Sequence, residues 1–198
     1  MAVRRPSVPS STGSDSGRIT VPRLNKDPVQ SLRPWPVAVT WEGQEYEIPA
    51  LPAADWLSVL MVEQLHLDDV FPGLLPEDQV QGVEEVLATT DPDVDEFLQF
   101  SLDIVETISG RRWWVALRLI ELARLSWDVI GGEMALKGVD PDRVSLSCWL
   151  DQLLLVALRN MEPKDITMFT MKLESPPPGE DKVEEIVMSR DAFLALGG

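Results

Sequence analysis

Few residues in this 198-residue sequence have the type and spacing that chemistry requires. His66 is the single histidine and lies between two leucines, a setting typical of a packed or partly solvated side chain. Cys148 is the single cysteine and begins an apolar segment without a candidate base nearby, which favours an inert buried thiol. The sequence therefore predicts neither a nucleophilic catalytic site nor a zinc site at these positions.

An alternating run of aspartates, Asp91, Asp93 and Asp95, has the spacing with which a calcium-binding loop begins. Such a loop needs glycine at its sixth position and glutamate at its twelfth, where this sequence has Glu96 and Leu102. The run instead predicts an acidic helix start, in which carboxylates complement the positive end of the helix dipole.

The sequence predicts no catalytic residue, no cofactor and no metal, so we do not expect an enzyme. Catalysis by carboxylates such as Asp93 and Glu96 ranks third among the possible functions, because the sequence supplies no motif and no partner base. Gly131 and Gly132 follow a predicted helix instead of opening one after a strand, so they do not predict a phosphate-binding loop.

The net charge is −16, from 17 basic and 33 acidic side chains. This balance argues against nucleic acid or an anionic membrane as the main partner. One cysteine cannot form an intramolecular disulfide, and the sequence has neither a signal-peptide pattern nor an uncharged apolar run long enough to cross a bilayer. We therefore predict a soluble protein of a reducing cytosol.

The charge is unevenly distributed. Residues 1–34 carry six basic and two acidic side chains, a net charge of +4, so the remaining residues sum to −20. Ser7 to Gly17 has almost no side chain that can pack, and ordering it would cost backbone entropy without burial. We predict a flexible, basic, Ser/Pro-rich arm over 1–34, which either lies against its own domain or a neighbouring copy, or serves as a dedicated binding arm.

A β-hairpin is predicted at residues 37–48. Val37 to Trp41 and Gln44 to Ile48 are rich in β-branched and aromatic residues, and Glu42-Gly43 between them suits a two-residue turn. Alternation places the apolar residues of each strand on one face, and these are Val37, Val39, Trp41, Tyr46 and Ile48.

Apolar spacing and start signals predict about six helices in a single domain. They are Ala53 to Leu67, Pro76 to Ala88, Pro92 to Ile108, Arg111 to Ile130, a helix capped by Ser145 or Ser147 that ends at Asn160, and Pro163 to Leu173. The fold class is therefore mainly α, with a helical domain at 35–175, a small N-terminal β-hairpin and disordered or extended tails. Residues 176–198 form a Pro-rich stop and an acidic tail.

The predicted helix from Arg111 to Ile130 is the longest and occupies the centre of the domain. Its core residues are expected to be Trp113, Trp114, Leu117, Ile120 and Trp127. Its polar residues, Arg118, Glu121, Arg124 and Asp128, recur three or four apart and predict one narrow solvated stripe. In the preceding helix, the apolar stripe comprises Val94, Phe97, Leu98, Val105 and Ile108.

The last predicted helix has two apolar faces. Ile166, Phe169 and Leu173 share one face, while Met168 and Met171 lie on the other. Met161, just before the helix, extends the methionine side. Methionine is flexible and polarizable, so these residues either fill the core or form a groove for an apolar helical segment of a partner.

Three stretches carry a resemblance to a known family. They are EYEIPALPAADWLSVL (45–60), RRWWVALRLIELARLSWDVIGG (111–132) and GVDPDRVSLSCWLDQLLLVALRNMEPKDITMFTMKLESPPPG (138–179). Their order is similar to that in the tail assembly chaperones of long-tailed, siphovirus-type bacteriophages that infect actinobacteria. WLDQLLLVALRN followed by a short helix and KLESPPPG is similar to the C-terminal pattern of that family. The resemblance covers about two thirds of the chain and includes no catalytic motif.

The resemblance implies a mostly helical protein of the infected cell's cytoplasm. Such a chaperone coats the tape measure protein non-covalently until tail tube subunits replace it, and it self-associates along that client. The family also implies a second, longer product of ribosomal frameshifting, whose extension contacts the tail tube protein. The basic arm has no counterpart in the resemblance.

The contact residues expected for such a chaperone are Trp149, Met161, Met168 and Met171. The competing function is a stable virion structural protein, such as a tail, neck or head component, whose basic arm reaches an adjacent subunit.

Overall fold

A computed structural model describes residues 17–20, 32–62, 64–90 and 93–178, with backbone alone for 17–20. Within these residues the fold is mainly helical, with an antiparallel sheet near the N-terminus, which confirms the predicted fold class. The strands are β1 (Gly17–Thr20), β2 (Val37–Trp41) and β3 (Gln44–Ile48). The helices are α1 (Ala53–Leu60), α2 (Val70–Gly73), α3 (Glu77–Thr90), α4 (Val94–Ser109), α5 (Trp113–Leu125), α6 (Trp127–Leu136), α7 (Leu146–Arg159) and α8 (Pro163–Glu174).

The hairpin of β2 and β3 is confirmed at the predicted residues. The φ angles of Glu42 and Gly43 are both positive, 48° and 73°, which is the turn geometry that fits the twist of a two-residue hairpin. The register pairs Val37 with Ile48 and Trp41 with Gln44. All five residues predicted for the apolar face are buried.

β1 is an addition to the predicted hairpin. It lies inside the segment predicted as a flexible arm, and it pairs antiparallel with β2, with Arg18 opposite Thr40. At the end of that segment, the Leu32 carbonyl accepts a hydrogen bond of 3.1 Å from the Ser145 amide. Residues 1–16 and 21–31 of the predicted arm, and the predicted tail from 179 onward, lie outside the described residues, so the domain boundaries stay predictions.

Aromatic rings join the sheet to the helices beneath it. The Trp41 ring centroid lies 5.3 Å from that of Phe97 and 4.8 Å from that of Phe100, both on α4. Tyr46 meets Phe71 of α2 at 5.4 Å, and Phe71 meets Phe100 at 5.1 Å. Edge-to-face and tilted aromatic contacts of this kind add to the burial of apolar area. This aromatic layer anchors the hairpin to α2 and α4.

The predicted helix over 111–130 is two helices. α5 ends at Leu125, the backbone angles of the next residue, Ser126, are not helical (φ −123° and ψ 27°), and α6 begins at Trp127. Because the helix is interrupted at Ser126, the helical spacing of α5 does not extend to the residues of α6. Trp127, which we predicted to be in the core, is 45% exposed.

The predicted solvated stripe of α5 is also corrected. Glu121 is buried and accepts two hydrogen bonds of 2.7 Å from the Arg124 guanidinium. Arg118 donates its hydrogen bonds to α8 instead of pointing to water, and of the four residues only Asp128 is exposed. A paired charge with satisfied hydrogen bonds can be buried at an acceptable cost, so the polar spacing did not mark the solvent side.

α7 runs through the core, as predicted. Ser145 caps it by accepting a hydrogen bond of 3.3 Å from the Cys148 amide. Its buried residues are Leu146, Trp149, Leu150, Leu153, Val156 and Ala157. The loop before α7 also supplies hydrogen-bond acceptors to the first turn of α1. The amides of Ala53 and Ala54, which have no partner within the helix, donate to the carbonyls of Val144 and Pro141 at 2.8 and 3.0 Å.

Two smaller predictions about the helices need correction. α1 ends at Leu60 instead of Leu67, and a 3-10 turn at Leu67–Asp69 leads into α2. Val94, which we placed on the apolar stripe of α4, is 68% exposed because it is the first residue of that helix.

Asp93 caps α4 by accepting a hydrogen bond of 2.9 Å from the Asp95 amide, which accounts for part of the acidic run.

Candidate protein-binding surface

The residues with potential chemistry lie apart in the structure. His66 is exposed at the start of the 3-10 turn, and Cys148 is half-buried in the first turn of α7. Burial, together with the negative charge of Asp151, raises the pKa of the Cys148 thiol, so the thiol is protonated at neutral pH. In the described ranges, no three His, Cys, Asp or Glu side chains lie close enough together to hold a metal ion.

α8 is a short amphipathic helix that packs on α5. Pro163 is its first residue, a position where the missing amide hydrogen costs no hydrogen bond. Phe169 and Leu173 are buried, and Ile166 is half-buried, so these three residues form the inner face. The inner face is the one that the sequence predicted.

Arg118 of α5 fixes the C-terminal end of α8. Its Nη1 donates to three backbone carbonyl oxygens, those of Lys172 (2.7 Å), Leu173 (3.0 Å) and Ser175 (2.6 Å). The last carbonyls of a helix have no partner within the helix and carry the negative end of its dipole, so a cation here is stabilising. Burial lowers the pKa of the Arg118 guanidinium, which nevertheless remains charged in proteins.

A second donor from α5 reinforces this arrangement. The indole Nε1 of Trp114 donates to the Glu174 carbonyl at 3.2 Å. Together, the contacts of Trp114 and Arg118 with the last turn of α8 form what we call the α8 clamp. The clamp holds α8 with its inner face on α5 and its outer face away from the domain.

The outer face of α8 exposes two methionines. Met168 is 57% exposed and Met171 is 65% exposed, and a separation of three residues places them in one row along the helix. We call this row the methionine face. Among the other predicted contact residues, Met161 is half-buried against the core.

Trp149 is a correction to the predicted contact set. It is 1% exposed near the start of α7, and its ring stacks on that of Trp127, with centroids 6.5 Å apart. A side chain with almost no exposed area cannot contact a partner of the folded chain. Trp149 therefore belongs to the core, and Trp127 is the exposed member of the pair.

The structure also exposes apolar residues that the sequence did not single out. On α6, Val129 and Leu136 are exposed, Leu136 at 90%, and their separation of seven residues places them on one face. Trp127 lies across Gly131 of the same helix, where an added Cβ would come within 3.1 Å of the ring. In the sequence, Gly131 could have indicated where the Trp127 ring lies, because a glycine in a helix leaves room for a large side chain nearby. We call Val129 and Leu136 the α6 apolar face, whereas Trp127 lies on the opposite side of the helix, over Gly131.

Both apolar faces lie in the part of the chain that has no net charge. Residues 111–178, which we call the neutral half, have nine basic and nine acidic side chains. Residues 35–110, the acidic half, have seventeen acidic side chains and no lysine or arginine. The acidic charge of the domain is therefore concentrated in a different part of the sequence from the methionine face and the α6 apolar face.

No helix in the described ranges is both long and apolar enough to cross a membrane. Comparison with known proteins finds no matching family, no similar curated protein and no similar solved structure.

Proposed function

We propose that this chain is a tail assembly chaperone of a long-tailed bacteriophage of actinobacteria. In this proposal it binds the tape measure protein non-covalently in the host cytoplasm and gives it up to tail tube subunits. The family assignment rests on the sequence resemblance from near Trp41 to Gly179. The observation that carries the binding mode is the exposed methionine face on a helix fixed by the α8 clamp.

Methionine suits a client that presents many different apolar segments. Its unbranched side chain adapts to irregular surfaces, and an amphipathic helix of the client is the expected ligand. Full burial of one such side chain contributes about 1.5 to 3 kcal/mol. Met168 and Met171 together would therefore give a modest affinity per site, which is compatible with later displacement by tail tube subunits.

The α8 clamp makes this surface ready for binding. Because Arg118 and Trp114 already fix the last turn of α8, the helix does not have to be ordered when a client arrives. Binding to a preorganised surface avoids part of the entropic cost of association. The proposal extends to self-association along the client through the α6 apolar face, and to a frameshifted longer form that contacts the tail tube protein.

Coexpression with the tape measure protein tests the proposal. The wild-type chain should keep the client soluble, while Met168→Ser/Met171→Ser should reduce co-purification at least tenfold because two apolar contacts are lost. Val94→Ser is the matched control, since Val94 is equally exposed but lies in the acidic half. A client that stays equally soluble without this chain would contradict the proposal.

Mass spectrometry of purified phage particles separates the proposal from its main competitor. A chaperone should be absent or strongly depleted, because tail tube subunits replace it on the tape measure protein. Recovery in a fixed stoichiometry with the tail proteins would instead assign a structural role in the virion.

A further inference from the structure

Five of the seven methionines lie among the described residues, and their exposure to solvent differs widely. Met134 is 3% exposed, and Met61 and Met161 are half-buried against the core. Met168 and Met171 are each more than half exposed. A thioether is oxidised where the oxidant can reach its sulfur, so the methionine face holds the two most accessible sulfur atoms of these five residues.

The single cysteine is a poor competitor for the same oxidant. A cysteine reacts with peroxides through its thiolate, and its reactivity also depends on exposure. Cys148 is half-buried, and burial together with the charge of Asp151 raises the pKa of its thiol, so little thiolate is present at neutral pH. A thioether has no proton to lose, so the reactivity of the methionine face does not depend on ionisation.

The contacts that hold α8 come from its inner face and its C-terminal end, away from the thioethers of the methionine face. Phe169 and Leu173 are buried, and the α8 clamp holds the last turn. The backbone carbonyl of Met171 accepts hydrogen bonds from the amide and the hydroxyl of Ser175, at 3.0 and 2.7 Å. An oxygen atom added to the sulfur of Met168 or Met171 would therefore face water and leave these contacts in place.

We propose that Met168 and Met171 form a reversible oxidation site, at which a peroxide converts the apolar methionine face into a polar one. The thioether sulfur attacks one oxygen of hydrogen peroxide, an S–O bond forms, the O–O bond breaks, and the second oxygen leaves as water with both protons. Sulfur thereby loses two electrons, and the peroxide gains them. The dithiol of a methionine sulfoxide reductase restores the thioether and becomes a disulfide, with release of water. The site itself is independent of the proposed function, but its control of client binding rests on that function.

Peptide mapping of the full chain after a pulse of hydrogen peroxide measures the site. At neutral pH, Met168 and Met171 should form sulfoxide at least about tenfold faster than Met134, whose sulfur is reached only when the structure opens. In concentrated urea the three rates should become equal, because the protection of Met134 belongs to the fold. Chain oxidised at Met168 and Met171, with the other described methionines intact, should keep the urea midpoint of the reduced chain.

Retention on a hydrophobic-interaction column reports the polarity of the surface without a client. Peroxide should shorten the retention of the wild type, and reductases for both sulfoxide epimers should restore it. Met168→Leu/Met171→Leu is the matched variant, because leucine keeps the face apolar and has no sulfur. Its retention should respond to peroxide at least about threefold less than that of the wild type. With the tape measure protein present, the same oxidation should reduce co-purification about fivefold, reversibly.

Three results would overturn the oxidation site. They are equal oxidation rates for Met134 and the methionine face in the folded chain, a lower urea midpoint after oxidation of Met168 and Met171, and equal changes of retention in the wild type and the leucine variant. A client that binds the reduced and the oxidised chain equally would refute the control of binding. A client that does not bind the reduced chain would contradict the proposed function alone, because mapping and retention are measured without it.

Discussion

The acidic half and the neutral half build their cores in different ways. In the acidic half, a small sheet is held on α2 and α4 by five aromatic rings, and the sequence has seventeen acidic side chains and no lysine or arginine. In the neutral half, α5 and α7 pack through leucines, isoleucine and tryptophans, and exposed apolar side chains lie among balanced charges. The contrast shows that one domain can carry exposed apolar side chains in one part of its sequence and a high negative charge in another.

A high net charge keeps protein molecules apart, and it acts mainly where the charge is located. Exposed apolar side chains grouped together are typical of interaction sites. Under the proposed function, this separation would allow a client to reach Met168 or Met171 without desolvating a row of carboxylates. It also discourages contact between two acidic halves.

The largest effect is expected from the aromatic layer. Phe71→Ala removes a fully buried ring that contacts Tyr46, Phe97 and Phe100, and it should lower the free energy of unfolding by about 3 to 5 kcal/mol. Urea unfolding followed by tryptophan fluorescence and by far-UV circular dichroism measures the loss. Because α4 and α5 pack together, both probes should report one transition. Two separate transitions would show that the halves unfold independently.

A smaller effect is expected in the neutral half when the clamp is weakened. Arg118→Met keeps the apolar stem but leaves carbonyls at the end of α8 without their donor, and it should cost about 1.5 to 3 kcal/mol. Hydrogen exchange should increase throughout α8 and remain unchanged in α3. Arg159→Met, at an exposed position, is the control and should change stability by less than about 0.5 kcal/mol. Equal exchange in α8 for both variants would refute the clamp.

The smallest effect concerns charge in the acidic half. The folded state raises the pKa of Asp103 above its ordinary value of 3.8, so the folded state binds the proton more tightly than the unfolded state. Ionised Asp103 therefore opposes folding at neutral pH, and this penalty disappears as the pH falls through the folded pKa. Asp103→Asn should stabilise the fold slightly at pH 7, by less than about 0.5 kcal/mol. The gain should vanish near pH 3, and thermal unfolding at both pH values checks it.

The features that the sequence predicted are local ones. Glu42-Gly43 specifies a hairpin turn, Ser145 caps α7, and Pro163 opens α8, each through an interaction within a few residues. The apolar spacing of α8 also placed Met168 and Met171 correctly opposite Phe169 and Leu173. Apolar periodicity and helix capping depend on residues that are close in sequence, so they can be recognised without knowing which distant residues pack against them.

The features that escaped prediction depend on distant partners. Arg118 has the spacing of a solvent-facing residue, yet the carbonyls that it contacts lie 54 to 57 residues later in the sequence. β1 is four residues long and is separated from β2 by sixteen, so no turn signal connects them. Trp127 was misplaced because the predicted helix is interrupted at Ser126, so the helical spacing of α5 does not apply to the residues after it.

The α8 clamp has a consequence for how the gene can be read. Ser175 leaves α8 in an extended conformation, and Pro176 to Pro178 cannot continue a helix. Arg118 and Trp114 supply donors to the last carbonyls of α8, so these carbonyls need no partner from beyond Ser175. Under the proposed function, a frameshifted longer form would therefore keep the same end of α8.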